Sequence, residues 1–195
     1  MFIDSHGIDN GSVFNTTVCI AGGGIAGITL ALELARAGIE VIIIESGGFK
    51  SDKATDDLYR GENVGLPYMF DHQYRSRFFG GSSNCWGGWN RPLEPEDFAN
   101  RPWIPYSGWP IDHREMQPFY ERTHAVLQLG PTNFDSEFWG ASVSGSNVRR
   151  IPFENDAAIT DSFSQFSPPA RLGILHRTQM ETDPKIRVLL HANVV

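Results

Sequence analysis

Gly22, Gly24 and Gly27 stand in GxGxxG spacing inside the run VCIAGGGIAGITLALELA. Each glycine has a mechanical use: Gly22 permits a tight turn, Gly24 lets a pyrophosphate approach bare backbone, and Gly27 lets a helix pack closely on a strand. The amides that open the following helix, at Ile25 and Ala26, then face the phosphates with the positive end of the helix dipole behind them. Glu45 sits 18 residues past Gly27, with Ser46 next to it. At the end of the next strand its carboxylate can accept from both ribose hydroxyls of an adenosine, and it repels a 2′-phosphate. The pair of features predicts a dinucleotide cradle, argues against NADP and leaves NAD or FAD.

A second stretch raises a different question. FFGGSSNCWGG, residues 78–88, holds four glycines, two adjacent serines, a cysteine and a tryptophan. Glycine costs backbone entropy and packs nothing, so neither helix nor strand asks for this composition. Something other than the core requires bare backbone there. The six histidines show no HxH or HExxH spacing, so no metal site is expected from the sequence. Trp86, Trp89, Trp103 and Trp109 could line a sugar-stacking surface, but indoles beside Pro and Gly more commonly anchor loops by burying themselves, and packing is the favoured reading.

The elements that position these residues follow from periodicity and punctuation. Thr17 to Ala21 reads as a strand. A helix follows, with Ile25, Ile28, Leu32 and Ala35 on one face, closing at Gly38, and a strand runs from Val41 to Glu45, which makes a βαβ unit. Residues 49–77 read as a long irregular loop with one short helix. PEDF starts a short helix at Pro95, and Asp112 with Glu115 forms a capping box for a helix carrying Met116, Phe119, Tyr120, Thr123 and Leu127. Residues 132–160 read as loop with one or two strands, 172–182 as a short helix, and IRVLLHANVV as a strand in which His191 is structural.

Composition narrows the class. The 195 residues are 41% hydrophobic, and Lys+Arg 16 against Asp+Glu 23 gives a net charge of −7 without long charge runs. This is not the footprint of a nucleic-acid binder or an anionic-membrane binder. The apolar runs are glycine-interrupted or very short, so no membrane span is expected. The start, MFIDSHGIDNGS, has no secretory pattern, which makes the cytoplasm the expected compartment. Two cysteines, Cys19 and Cys85, suit neither a disulfide scaffold nor a zinc site.

Taken in order, AGGGIAGITLALELARAG, IIESGG, RFFGGSSNCWGGWNRP and SGWPIDHREMQPFYERTHAVLQLG resemble the flavin domain of the glucose-methanol-choline (GMC) oxidoreductase family from Val18 onward. The resemblance implies an α/β, Rossmann-like FAD-binding fold with irregular cofactor-covering loops. Residues 1–15 would be an N-terminal arm and 16–195 a partial FAD-binding domain, with substrate-domain elements beginning within 95–165. It implies that FAD is the cofactor and that the GGSS segment lies along it. Gly80 and Gly81 would let main chain approach, and Ser82 and Ser83 would offer hydroxyl and N–H donors to diphosphate and ribityl. Asn84, Cys85 and Trp86 would follow beside the isoalloxazine. Val194 matches the position that contacts adenine through its backbone, and Arg77, just before the motif, would either meet a phosphate or stay solvated.

NCWGG resembles the sugar-oxidising branch. Where pyranose oxidases carry a flavin-linked histidine this chain has Cys85, whose favoured reading is a small residue packed on the ring, with a cysteinyl-flavin link as the alternative. Family members oxidise an alcohol CH–OH with a histidine base that lies far downstream, and none of the histidines present matches it. No catalytic residue is therefore assigned, and the 195 residues alone are expected to be inactive. The implied substrate is a sugar or other alcohol, with the electron acceptor open. Two other readings stay in view: an NAD-linked Rossmann dehydrogenase, and the nucleotide-binding subunit of a split flavoenzyme completed by a partner chain.

Overall fold

The structure, a computed structural model, describes residues 1–67, 74–142, 162–168 and 170–195. The chain forms two compact units, Met1–Trp86 with Ala170–Val195, and Gly87–Pro169.

The first unit is built on a parallel four-stranded sheet in the order β1-β6-β3-β2, where β1 is Phe2–Asp4, β2 Val18–Ala21, β3 Val41–Ile44 and β6 Ile186–Leu190. Its central strands read VIII and IRVLL, the near-continuous β-branched and aliphatic pattern of strands covered on both faces. Val41, Ile43 and Val188 are completely buried. Helix α1, Ile25–Arg36, links β2 to β3 and turns Gly27, Ile28, Ala31 and Leu32 inward. It stops where the sequence places its terminator. Gly38 is left-handed (φ +80), its N–H donates to Ala35 O at 2.9 Å, and Ile39 N–H donates to Leu34 O at 3.0 Å, which is a Schellman closure.

The N terminus departs from the expected polar arm. Phe2–Asp4 is the edge strand of the sheet, with Phe2 opposite Val188 and Asp4 opposite Leu190. The Met1 ammonium donates to Met180 O (2.9 Å) and Ile186 O (2.8 Å). Three residues are too few to show alternation in sequence, and the ladder partner lies more than 180 residues away, so only the folded chain reveals the strand. Phe2 also packs edge-on against Phe79 and Phe49 at ring separations of 5.1 and 4.9 Å.

The loop after β3 carries the expected short helix, α2 at Lys53–Asp56, capped by Asp52 accepting from Thr55 N–H at 2.9 Å. The helix expected over 172–182 is instead two, α6 at Leu172–Leu175 and α7 at Arg177–Thr182, separated at His176. Each half has its own anchor. Gly173 lies against the backbone of Phe79 and Gly80, and Met180 is fully buried.

The second unit holds a two-residue antiparallel pairing of β4, Trp89–Asn90, with β5, Gln165–Phe166. It also holds α3 at Pro95–Phe98, α4 at His113–Val126 and α5 at Ser136–Ser142. Helix α4 has the expected capping box: Asp112 Oδ1 accepts from Arg114 and Glu115 N–H at 2.8 and 2.9 Å, and Glu115 Oε2 accepts from Asp112 N–H at 2.8 Å. Helix α5 forms where loop and strands were expected. Its start signal is Asp135, whose Oδ1 accepts from Glu137 and Phe138 N–H at 2.8 Å each. The rest of that expectation, residues 143–160, lies outside the described residues. No helix among the described residues is long and apolar enough to cross a membrane.

The inward face of α1 yields a paired test. Ile28→Ala, at a site with no solvent exposure, is expected to cost about 2–5 kcal/mol in urea unfolding, whereas Leu30→Ala on the half-exposed face stays within about 0.5 kcal/mol. Equal losses would contradict the assigned helix face.

Candidate nucleotide-binding site

Strand β2 ends at Ala21 and the chain turns immediately through Gly22, which is left-handed at φ +100 and donates its N–H to Ile44 O at 2.8 Å. Gly24 is the N-cap of α1, and no side chain caps that helix end. The first turn contains no acidic residue either, so the amides there are left for an outside acceptor. Gly27 is the packing glycine: a Cβ there would lie 2.0 Å from Gly22 O. Ile25 is half-buried and Ala26 exposed at the mouth of the turn.

The first half of the second glycine-rich stretch, residues 78–84, comes to the same place. Gly80 N–H donates to Gly23 O at 2.8 Å, and a Cβ on Gly81 would stand 2.8 Å from Gly24 Cα. Both are left-handed, at φ +103 and +53. The two glycine-rich segments, more than fifty residues apart in sequence, are therefore in backbone contact at the head of α1. Phe79 is buried behind them and lines the turn; a Cβ on Gly23 would lie 2.9 Å from its ring.

Glu45 has a second job beyond the expected one. It is 5% exposed, its Oε2 accepts from Gly23 N–H at 2.7 Å, and its Oε1 accepts from Gly47 N–H at 2.9 Å and from Ser46 Oγ at 3.4 Å. A buried carboxylate needs donors, and these amides clamp the glycine turn to the exit of β3.

The turn Gly81–Asn84 sorts its side chains by rotation. Ser82 is exposed, but Ser83 is turned inward, against expectation: it is 1% exposed, donates to Gly80 O at 2.6 Å and accepts from Leu172 N–H at 3.2 Å. Its hydroxyl is committed to the protein. Asn84 Nδ2 closes the turn onto Gly81 O (2.9 Å) and Phe79 O (3.2 Å). Cys85 is half-buried with its thiol 3.5 Å from Ser82 O. Trp86 Nε1 and Arg77 Nε are buried without a hydrogen-bond partner among the described residues.

Arg77 reaches Asn193 Oδ1 at 3.1 Å, beside the exposed Val194, and its cation lies 5.4 Å from the Tyr59 ring centroid. Burial pushes the Tyr59 phenol up, opposed by the charges of Arg77 and Arg75.

Two sequence readings change. Trp89, Trp103 and Trp109 are 67%, 77% and 59% exposed, so they are not buried loop anchors. His191 is not inside a strand: it follows β6 at φ +55, its Nδ1 3.0 Å from Asp4 Oδ1. Sequence reasoning also missed Phe79 as the wall of the turn, and the Gly47–Gly48 pair beneath it. A Cβ on Gly47 would lie 2.2 Å from Arg77 O. The signal was present in IIESGG, where glycines directly after a strand mark close passage of another segment.

Fold and site together define a Rossmann-like dinucleotide-binding module. Residues 17–143 match the family model described as FAD dependent oxidoreductase. The chain belongs to the FAD-dependent oxidoreductase family, and its cofactor is FAD. Similar solved structures include a pyridoxine 4-oxidase from Mesorbium loti (18% identity, TM-score 0.47), which the chain matches over 91% of its own length and 42% of the other's. A fungal aryl-alcohol oxidase matches at 15% identity and TM-score 0.47, covering 91% and 39%. An FAD-dependent oxidoreductase from Chaetomium thermophilum matches at 18% identity and TM-score 0.45, covering 90% and 38%. The chain thus spans about two fifths of the length of these structures. No curated protein sequence matches it.

Replacing Glu45 by Gln leaves one clamped amide facing an NH2 group instead of an oxygen. The expected loss is about 1–3 kcal/mol in urea unfolding with no nucleotide present. An unchanged midpoint would mean that the carboxylate does not hold the turn.

Proposed function

We propose that this chain is the FAD-binding part of a GMC-type oxidoreductase that oxidises the CH–OH group of a sugar or another alcohol. The observation that carries the reading is the backbone contact of Gly80 and Gly81 with Gly23 and Gly24. Segments that meet at one place, the head of α1, can be touched together by one ligand. The NCWGG run supports the sugar-oxidising branch by resemblance.

The residues fit the cofactor. The uncapped head of α1 offers the amides of Ile25 and Ala26, and the bare backbone at Gly22 and Gly24 leaves room for a diphosphate where a Cβ would intrude. Ser82 supplies an outward hydroxyl and Gly81 a close main-chain approach. Glu45 keeps lone-pair capacity beyond its two amide partners for a ribose hydroxyl, with Ser46 beside it. Arg77, held by Asn193, would meet a phosphate with its charge, and the backbone at the exposed Val194 would contact adenine. Asn84, Cys85 and Trp86 carry the chain onward beside the flavin, and Gly27 and Ser83 act by packing.

Bound FAD supplies the hydride acceptor, and the protein supplies position and field. None of the histidines matches a base motif of the family. The reading therefore gives this chain cofactor binding and leaves proton abstraction to residues outside it, in cis or on a partner chain.

FAD titration of the purified, folded chain tests this by flavin fluorescence. Saturable one-to-one binding is expected, with NAD failing to compete. Gly81→Ala should weaken binding at least about tenfold, roughly 1.4 kcal/mol, because its Cβ displaces the contact with Gly24. A folded preparation indifferent to FAD would reject the reading, and preference for NAD would support the dehydrogenase alternative.

A further inference from the structure

At the carboxyl ends of β1 and β6, three side chains converge. Asp4 Oδ1 lies 3.0 Å from His6 Nδ1 and 3.0 Å from His191 Nδ1. The two imidazoles stack at 4.6 Å with 30° between their planes. One ligand atom from each of the three residues falls within 4.8 Å of the others.

The backbone builds this convergence. The parallel register sets Asp4 beside Leu190, one residue before His191. Asp4 accepts from His6 N–H at 3.0 Å, which turns the chain through Ser5–Gly7 and returns the His6 ring over the strand end. His191 is fixed on three sides. Its N–H donates to Gly47 O at 3.1 Å, its carbonyl accepts from Ser5 Oγ at 2.6 Å, and a Cβ on Gly48 would lie 2.5 Å from its Nε2. Its left-handed backbone is uncommon for a residue other than glycine, and it aims the ring at Asp4.

We propose that Asp4, His6 and His191 form a binding site for a borderline divalent transition-metal ion such as Zn2+, with solvent completing its shell. Two imidazoles and one carboxylate suit Zn2+ and its neighbours, whereas Ca2+ and Mg2+ require oxygen ligands. Metal–ligand bonds of about 2.0–2.2 Å place tetrahedral ligands roughly 3.4 Å apart, so each of the two 3.0 Å distances to Asp4 needs only a few tenths of an ångström of side-chain movement, and the two imidazoles already lie within 4.8 Å of one another. His6 and Asp4 are exposed, which gives an ion access and room for water.

Without an ion, hydrogen bonds hold Asp4 to both of its neighbours. The His6 N–H and the His191 ring hold the Asp4 carboxyl below its ordinary value. The Asp52 carboxyl is held low first by the Thr55 N–H and then by the Thr55 hydroxyl. Its Oδ2 is buried without a hydrogen-bond partner among the described residues. Metal must displace protons from the ligands, so affinity falls as pH falls.

The proposal stands apart from the FAD reading, and its test needs no enzyme activity. Calorimetric titration of the untagged chain with zinc chloride at pH 7.5 is expected to show one ion per chain. The thermal midpoint should rise with zinc, because the ion ties together residues 187 apart, and EDTA should reverse the rise. His6→Ala and Asp4→Asn, both at exposed sites that should not disturb folding, are each expected to weaken binding at least about tenfold, and binding should fade at pH 5.5. Absence of saturable binding would overturn the site. So would unchanged binding in the double variant of His6→Ala with Asp4→Asn, which would place the ion elsewhere, for example at Cys19 or Cys85.

Discussion

The Cα of Gly24 and the place a Cβ would occupy on Gly81 are 2.8 Å apart, closer than a side-chain carbon can come. That absence of side chain lets two segments share one small volume at the head of α1. Around it the same device recurs. Gly27 lies against Gly22, Gly47 against Arg77 and Phe78, and Gly173 against Phe79 and Gly80. Four bare-backbone contacts bring the ends of β2 and β3, the 77–84 passage and α6 together, and leave main-chain amides rather than side chains facing the ligand side.

Bare backbone is adaptable, and something must hold it in one arrangement. Here the buried elements around it do so. Glu45 binds Gly23 and Gly47 from below, and Phe79 fills the space behind the turn with Phe2 and Phe49 packed edge-on to it. Ser83 and Asn84 fasten the second segment to itself and to α6. The consequence is a turn held in one arrangement by its surroundings, which on the proposed reading would limit the ordering cost of binding.

Adjacent serines illustrate how local geometry assigns roles that composition cannot. In a 3-10 turn successive side chains point about 120° apart, so Ser82 and Ser83 cannot face the same partner. One is exposed and the other commits its hydroxyl to Gly80 and Leu172. Glu45 is a similar case. Its position after β3 was legible as a ribose acceptor, yet its burial makes it a structural clamp first.

The sequence by itself determined the βαβ unit, its closure at Gly38, the capping box of α4 and the glycine spacing of the turn, because each depends on residues within a few positions of one another. It also carried both glycine-rich segments, the first read as cofactor-facing from its spacing and the second from its family resemblance. Tertiary structure decided what depends on distant partners. Phe2–Asp4 becomes a strand only because β6 offers an edge, and the helix at 172–182 divides because Gly173 and Met180 are pinned in different places. Asp4, His6 and His191 meet because a parallel register brings the two ends of the chain side by side. Local hydrogen bonds and steric limits are written in neighbouring residues, whereas burial, register and convergence exist only after the chain has closed on itself.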